Sequence, residues 1–169
     1  KYVSLNQSHA AASSSYQFND SAHTSSVCSV GTNGATNEST KNMIAYVFSE
    51  RKGYSKIGSY LGSGSTSVCG FIHTGFKPAM VILKRTDSAA SWLMFDNKRD
   101  IDNVVTHRVY ANGTDAEDSD TGSAIDFLSN GFKNRSTDSS TNATNGTYIY
   151  LAFAESPFTN SSGVPNNAR

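Results

Sequence analysis

The chain has 169 residues, enough for one ordinary domain with a real core. Lysine and arginine total 14, as do aspartate and glutamate, so the formal net charge is zero, which argues against a nucleic-acid footprint and against a polybasic membrane contact. Only 17% of residues are charged, so Ser, Thr, Asn and Gly carry the polarity, and no apolar run approaches the length of a membrane span.

Residues 1–50 read as strands with polar connections. Tyr2, Val3 and Leu5 begin one, Tyr16 and Phe18 alternate within 13–18, residues 27–30 make a short third, and MIAYVFSE (43–50) closes the unit. The opening at Lys1 on KYVSL leads to the expectation that the natural chain extends upstream, with any targeting signal there. Tyr54, Ile57 and Tyr60 have a helix-like spacing, but the glycines of RKGYSKIGSYLGSGS oppose a helix and favour an irregular strand followed by a loop. That GSGS is no phosphate cradle, because neither a following Lys-Ser/Thr nor a βαβ frame is present.

The best-patterned block follows. FIHTGF, PAMVILKR and SWLMFD read as successive strands, with Pro78 at a strand start where its missing donor costs little. Residues 97–105 read as a loop, 107–110 as a strand, and 115–123 as an acidic loop. Residues 125–128 and 131–133 flank Ser129-Asn130-Gly131, where Asn-Gly is expected to supply the positive φ of a tight hairpin. TYIYLAFAESPF (147–158) is the strongest strand signal, apolar on one face and aromatic or small on the other, as befits a central strand, with Pro157 ending its ladder. Residues 159–169 read as an extended tail. The fold class expected is all-β, an antiparallel sandwich.

The sequence also repeats itself. MIAYVFSE echoes YIYLAFAE, pairing Ile44 with Ile149, Tyr46 with Leu151, Phe48 with Phe153 and Glu50 with Glu155. Residues 1–50 match 107–155 loosely but in order. Three parts follow: residues 1–50 as the second half of an upstream repeat packed into the same sandwich, 51–158 as the main repeat, and 159–169 as the tail.

Few residues combine into chemistry. The histidines His9, His23, His73 and His107 accompany no G-x-S-x-G elbow, so no nucleophilic triad is framed. Glu50 and Glu155 could be a hydrolase carboxylate pair, but duplication explains them more simply as strand-exit charges. Asp115, Asp118 and Asp120 lie in the better of two oxygen-rich loops and are the candidates for a structural Ca²⁺ ion, against a solvated acidic loop; no other cofactor is expected. Tyr54, Tyr60, Trp92 and Tyr110 are the aromatics to weigh as sugar-stacking platforms, with Trp92 better placed in a core. Cys28 and Cys69 pair only if their Cα atoms come within about 7 Å, and two free thiols are the simpler reading.

Five ordered motifs, YSKIGSYLGSGS, HTGFKPAMVILKR, SWLMFDNKRD, DFLSNGFKNR and TYIYLAFAESPF, resemble a C-terminal domain of the virion structural and tail-fibre proteins of tailed bacteriophages, frequent in marine phages. The resemblance is close from about Met43 onward, looser before Thr40, and departs at Cys69, where a small or apolar non-thiol residue is expected. It implies a jelly-roll, concanavalin-like sandwich on a virion, assembled in the bacterial cytoplasm and acting extracellularly. It implies no catalytic residue. The expected partners are other virion subunits, as a homo-oligomer, together with a host-surface glycan, without nucleic acid or membrane insertion. The alternatives are a carbohydrate-binding module and, less favoured, a polysaccharide depolymerase.

Overall fold

In the computed structural model, which describes residues 1–19, 21–68 and 70–162, nine strands follow the first 54 residues. They are β1 (Ser55–Leu61), β2 (Phe71–His73), β3 (Pro78–Arg85), β4 (Leu93–Asp96), β5 (His107–Tyr110), β6 (Asp118–Ser119), β7 (Ile125–Leu128), β8 (Gly131–Asn134) and β9 (Thr147–Ala154). A six-stranded sheet runs β1-β9-β3-β4-β5-β6 and a three-stranded sheet runs β2-β8-β7, with every pairing antiparallel. The fold is therefore an all-β antiparallel sandwich, as the sequence predicts.

Side-chain alternation builds the core. Val81 and Leu83 of β3, Leu93 and Phe95 of β4, and Tyr150 and Ala152 of β9 point inward from the larger sheet. Ile72 of β2, Ile125 and Phe127 of β7, and Phe132 of β8 meet them from the smaller one. Strand β9 is internal: it pairs with β1 from Ser55↔Phe153 to Leu61↔Thr147, and with β3 from Pro78↔Ala154 to Arg85↔Tyr148. Pro78 opens β3, as expected from its missing N–H.

The β7–β8 hairpin forms at Ser129 and Asn130, with Leu128 opposite Gly131, but neither Asn130 nor Gly131 has a positive φ. Gly131 is needed for another reason: a Cβ there would meet the Ile72 carbonyl oxygen at 2.1 Å, because β2 and β8 approach closely at this point. The Asn130 carbonyl in turn accepts from the N–H groups of Thr74 and Gly75, at 3.0 and 3.1 Å, tying the hairpin tip to the end of β2.

By contacts the chain divides into two units, one of Lys1–Val3 and Ala11–Phe48, the other of Ser4–Ala10 and Ser49–Arg169. The first carries a correction. None of the strands expected within residues 1–50 forms among the described residues; the regular structure there is α1 (Ser15–Phe18), α2 (Gly34–Asn37) and a bridge between Tyr2 and Ala12. Local capping overrides the alternation of Tyr16 and Phe18, since the Ser14 hydroxyl accepts from Tyr16 N–H and begins a helical turn there. Of this unit's described residues only Gly31 is buried, so it lacks the apolar core that would draw strands together. The expected Cys28–Cys69 question and the tail beyond residue 162 fall on Cys69 and on residues 163–169, outside the described residues.

Gly131→Ala is expected to destabilise the sandwich by about 2–3 kcal/mol through overpacking against β2. Gly70→Ala, where an added Cβ has nothing within 4 Å, should leave thermal stability almost unchanged. Equal melting temperatures for the two variants would refute the close-approach role.

Candidate functional site

An open cleft of about 600 Å³ lies between the entry to β1 and the exit of β2. One wall is a tight turn. Arg51 and Ser55 exchange backbone hydrogen bonds of 3.0 and 2.9 Å, Tyr54 N–H donates to the Arg51 carbonyl at 2.9 Å, and Gly53 supplies the φ of 72° that closes the loop. The Ser55 hydroxyl donates to the Ser49 carbonyl at 2.8 Å, fixing the chain just ahead of the turn. The other wall is His73, Thr74 and Gly75, where Gly75 has φ 86° and the Thr74 hydroxyl donates to the Phe76 carbonyl at 2.6 Å.

The cleft is cationic in a chain with no net charge. Arg51, Lys52 and Lys56 line it against one carboxylate, Glu50, which accepts from Lys56 Nζ at 2.9 Å. That hydrogen bond raises the Lys56 pKa above its ordinary value. Arg51 and Lys52 are exposed and their side chains meet no ion-pair partner among the described residues. Tyr54, beside them on the turn, is 50% exposed, with its ring edge-on to Phe153 at 6.3 Å. Two unneutralised cations, hydroxyl and backbone groups and an exposed ring suit the binding of an anionic group carried on a flat or cyclic body.

Residues 1–157 match the family described as Domain of unknown function (DUF7483). The chain belongs to that family. No curated protein and no solved structure matches it. The family match runs through both contact units, so residues 1–48 are as much a part of the family as the sandwich.

Of the four aromatics singled out from sequence, only Tyr54 is exposed. Trp92 is buried, with its indole N–H donating to the Ser4 carbonyl at 2.9 Å. Tyr60 stacks on Tyr148 with centroids 4.9 Å apart, and its hydroxyl donates to the Thr141 carbonyl at 2.8 Å; burial pushes its pKa well above the usual range. Tyr110 is half-buried and donates to Asp118 at 2.9 Å. These three side chains are engaged in packing and hydrogen bonds within the sandwich unit.

Asp118 and Asp120 both turn onto the buried Arg108, at 3.0 and 2.9 Å, so a guanidinium holds the carboxylates that a cation would need. The hydrogen bond from Arg108 holds the Asp118 carboxyl below its ordinary range. Asp115 is exposed, and no group of three or more His, Cys, Asp or Glu side chains among the described residues could hold a metal ion.

Glu50 and Glu155 are both ion-paired. Each is engaged by its own cation, Glu50 by Lys56 and Glu155 by Lys77 at 3.0 Å, with Asn97 donating to Glu155 as well. His73 ends β2 and lines the cleft, whereas His107 opens β5 with Nδ1 2.7 Å from Asp100 Oδ1. The other Asp100 oxygen accepts from Thr106 and His107 N–H at 2.6 and 2.7 Å, so this pair fastens a loop to a strand. Sequence reasoning passed over Arg51 and Lys52; the available signal was three cations in the six residues RKGYSK beside a tyrosine, in a chain only 17% charged.

Acid titration tests the ion-pair account away from the cleft. Asp87 receives both Nε and Nη2 of Arg85, at 2.9 and 3.1 Å, and that hydrogen bonding holds its pKa down to about 2. A carboxyl depressed in the folded state stabilises fully above its unfolded value, about 4, and loses that stabilisation as pH falls through the folded value. Asp87→Asn is therefore expected to melt lower than wild type at pH 7, with the gap closing between about pH 4 and pH 2. A gap that stays constant across that range would contradict the assignment.

Proposed function

We propose that this chain is a non-enzymatic structural module of a tailed-bacteriophage virion protein, in a tail fibre, spike or head appendage, serving assembly and attachment to the host surface. One observation supports the reading above others: the five motifs of the resemblance fall on parts that build the sandwich. YSKIGSYLGSGS is β1 and the turn beyond it, where a Cβ on Gly62 would meet the Ala143 carbonyl oxygen at 2.2 Å. HTGFKPAMVILKR supplies the Gly75 turn and β3, and SWLMFDNKRD supplies the buried Trp92, Leu93 and Phe95. DFLSNGFKNR is the β7–β8 hairpin and TYIYLAFAESPF is the internal strand β9. What recurs in such proteins is then a scaffold. In this reading the sandwich is of the jelly-roll, concanavalin-like kind, its neighbours are other virion subunits including copies of itself, and it works outside the cell.

Immunogold labelling, with antibody raised against the purified chain, of the particles that carry this sequence is expected to mark an external appendage. Label confined to the soluble fraction of lysed host cells, with none on particles, would overturn the virion assignment.

The cleft favours a second reading within attachment: a saccharide-binding module for an acidic glycan. Tyr54 would stack on the sugar ring while Arg51 and Lys52 meet its carboxylate, sulfate or phosphate. On an array of neutral and acidic bacterial polysaccharides, binding is expected to the acidic set only. Arg51→Ala with Lys52→Ala should weaken it at least about tenfold and Tyr54→Ala by a similar factor. Undiminished binding by these variants, or no binding to any acidic polysaccharide, would remove the cleft from the reading.

A further inference from the structure

Strand β2 presents Ile72 to the core and turns Phe71 and His73 to its other face, where both are exposed. Phe71 stands opposite Lys133 of β8, and His73 opposite Gly131. The Phe71 ring leans over that glycine, since a Cβ on Gly131 would lie 2.7 Å from it. The ring is thus braced against bare backbone while Phe71 stays 44% exposed. A ring whose position is already set loses little freedom when something stacks on it.

Phe71 is more than a single apolar residue at the surface, because of what adjoins it. Its ring centroid lies 6.3 Å from that of His73, with the two planes at 64°, and His73 lines the cationic cleft. Lys133 meets no ion-pair partner among the described residues, because Asp126, opposite it on β7, is taken by Arg135 at 3.4 Å. An exposed ring beside an unneutralised cation therefore occurs twice: Tyr54 with Arg51 and Lys52 in the cleft, and Phe71 with Lys133 on the small sheet. His73 belongs to the surroundings of both, and an imidazole can donate to one hydroxyl and accept from another.

We propose that Phe71 and Lys133 form a second saccharide subsite, continuous with the cleft through His73, and that the occupant of the whole site is an acidic polysaccharide held at two of its sugar rings. The inference rests on the saccharide reading of the cleft. A polyanionic chain carries at regular intervals what each subsite takes, a ring for the aromatic and an acidic group for the cation. A protein partner fits this face less well: apart from the half-buried Leu128, the groups around the ring are the polar His73, Lys133 and Asp126, whereas protein docking surfaces are contiguous apolar patches. Two subsites on one ligand chain act through effective concentration, so affinity should climb once an oligosaccharide is long enough to occupy both.

The test is isothermal titration calorimetry of the full chain with oligogalacturonides and κ-carrageenan oligosaccharides of increasing length, one series carrying carboxylates and the other sulfates. Affinity is expected to rise at least about tenfold at the length that reaches Phe71. Phe71→Leu, which keeps an apolar side chain without the ring, and Lys133→Ala should each remove most of that rise, and Phe71→Tyr should keep it. Shorter oligosaccharides, held at Tyr54, should bind Phe71→Leu as they bind the wild type, whereas Arg51→Ala with Lys52→Ala should weaken every length. Long oligosaccharides bound equally well by Phe71→Leu would overturn the subsite and leave the cleft reading standing. So would a Phe71→Leu chain that melts lower and loses affinity equally at every length, since the ring would then serve only to cover Gly131. Absence of binding at every length in both series would remove the cleft reading and the subsite together.

Discussion

The sandwich depends on β9 having a strand on each side. Its residues from Thr147 to Phe153 are each opposite a residue of β1, and its partners on β3 run from Pro78 to Arg85, so nearly every backbone donor and acceptor of the strand meets a ladder. That is what makes it tolerable to carry apolar or aromatic groups on both faces. Tyr148 is the clearest case. Its ring is fully buried and stacked on Tyr60, and its hydroxyl donates to the Ser139 carbonyl at 2.7 Å while accepting from Ala143 N–H at 2.8 Å. One side chain thereby satisfies the long polar loop ahead of β9 and fills the space beside β1. Residues 43–47 have a similar composition but, among the described residues, no ladder, and they are exposed.

Polar chemistry in the sandwich is spent mostly on fastening. Lys84 is fully buried on the outer face of β3, and its ammonium donates to the carbonyls of Ser8, Arg85 and Ala90 at 3.2, 2.8 and 2.9 Å. Burial lowers its pKa, so the three carbonyls are what keep a cation acceptable there. Ala90 N–H also donates to the Ser8 carbonyl at 2.9 Å, and Trp92 reaches Ser4, so Ser4–Ala10 is stitched across the β3–β4 connection. Arg108 with Asp118 and Asp120, and Asp100 with His107, do the same for the far edge of the sheet. A carboxylate already held by a guanidinium or by backbone N–H groups is a poor ligand for anything else, which is why the acidic loop is structural.

Strands with a strict period of two and a turn residue at each end were legible: β3, β5, β7, β8 and β9 sit where the alternation puts them. The β7–β8 hairpin was legible for the wrong reason, because Ser-Asn-Gly marks a turn by composition whether or not φ becomes positive; the need for glycine at 131 comes from β2, 59 residues away in sequence. Strands within 1–50 were predicted from pattern alone, and pattern cannot form a sheet without a partner in reach. Tyr60 and Tyr110 were weighed as platforms because a tyrosine in a polar sequence reads as exposed; each is drawn inward by a hydrogen-bond acceptor, Thr141 or Asp118, that only the fold brings near, while Trp92, better placed in a core from its strand pattern, donates to Ser4.

The cleft was not legible for the complementary reason. Its walls come from residues about twenty apart, the turn at 51–55 and the strand exit at 73–75, and neither carries a motif of binding chemistry. Both are glycine turns with positive φ, at Gly53 and Gly75, and each projects side chains away from the ladders. Nothing in the packing of the sandwich requires Arg51 or Lys52 to be cationic, since neither is buried nor ion-paired among the described residues.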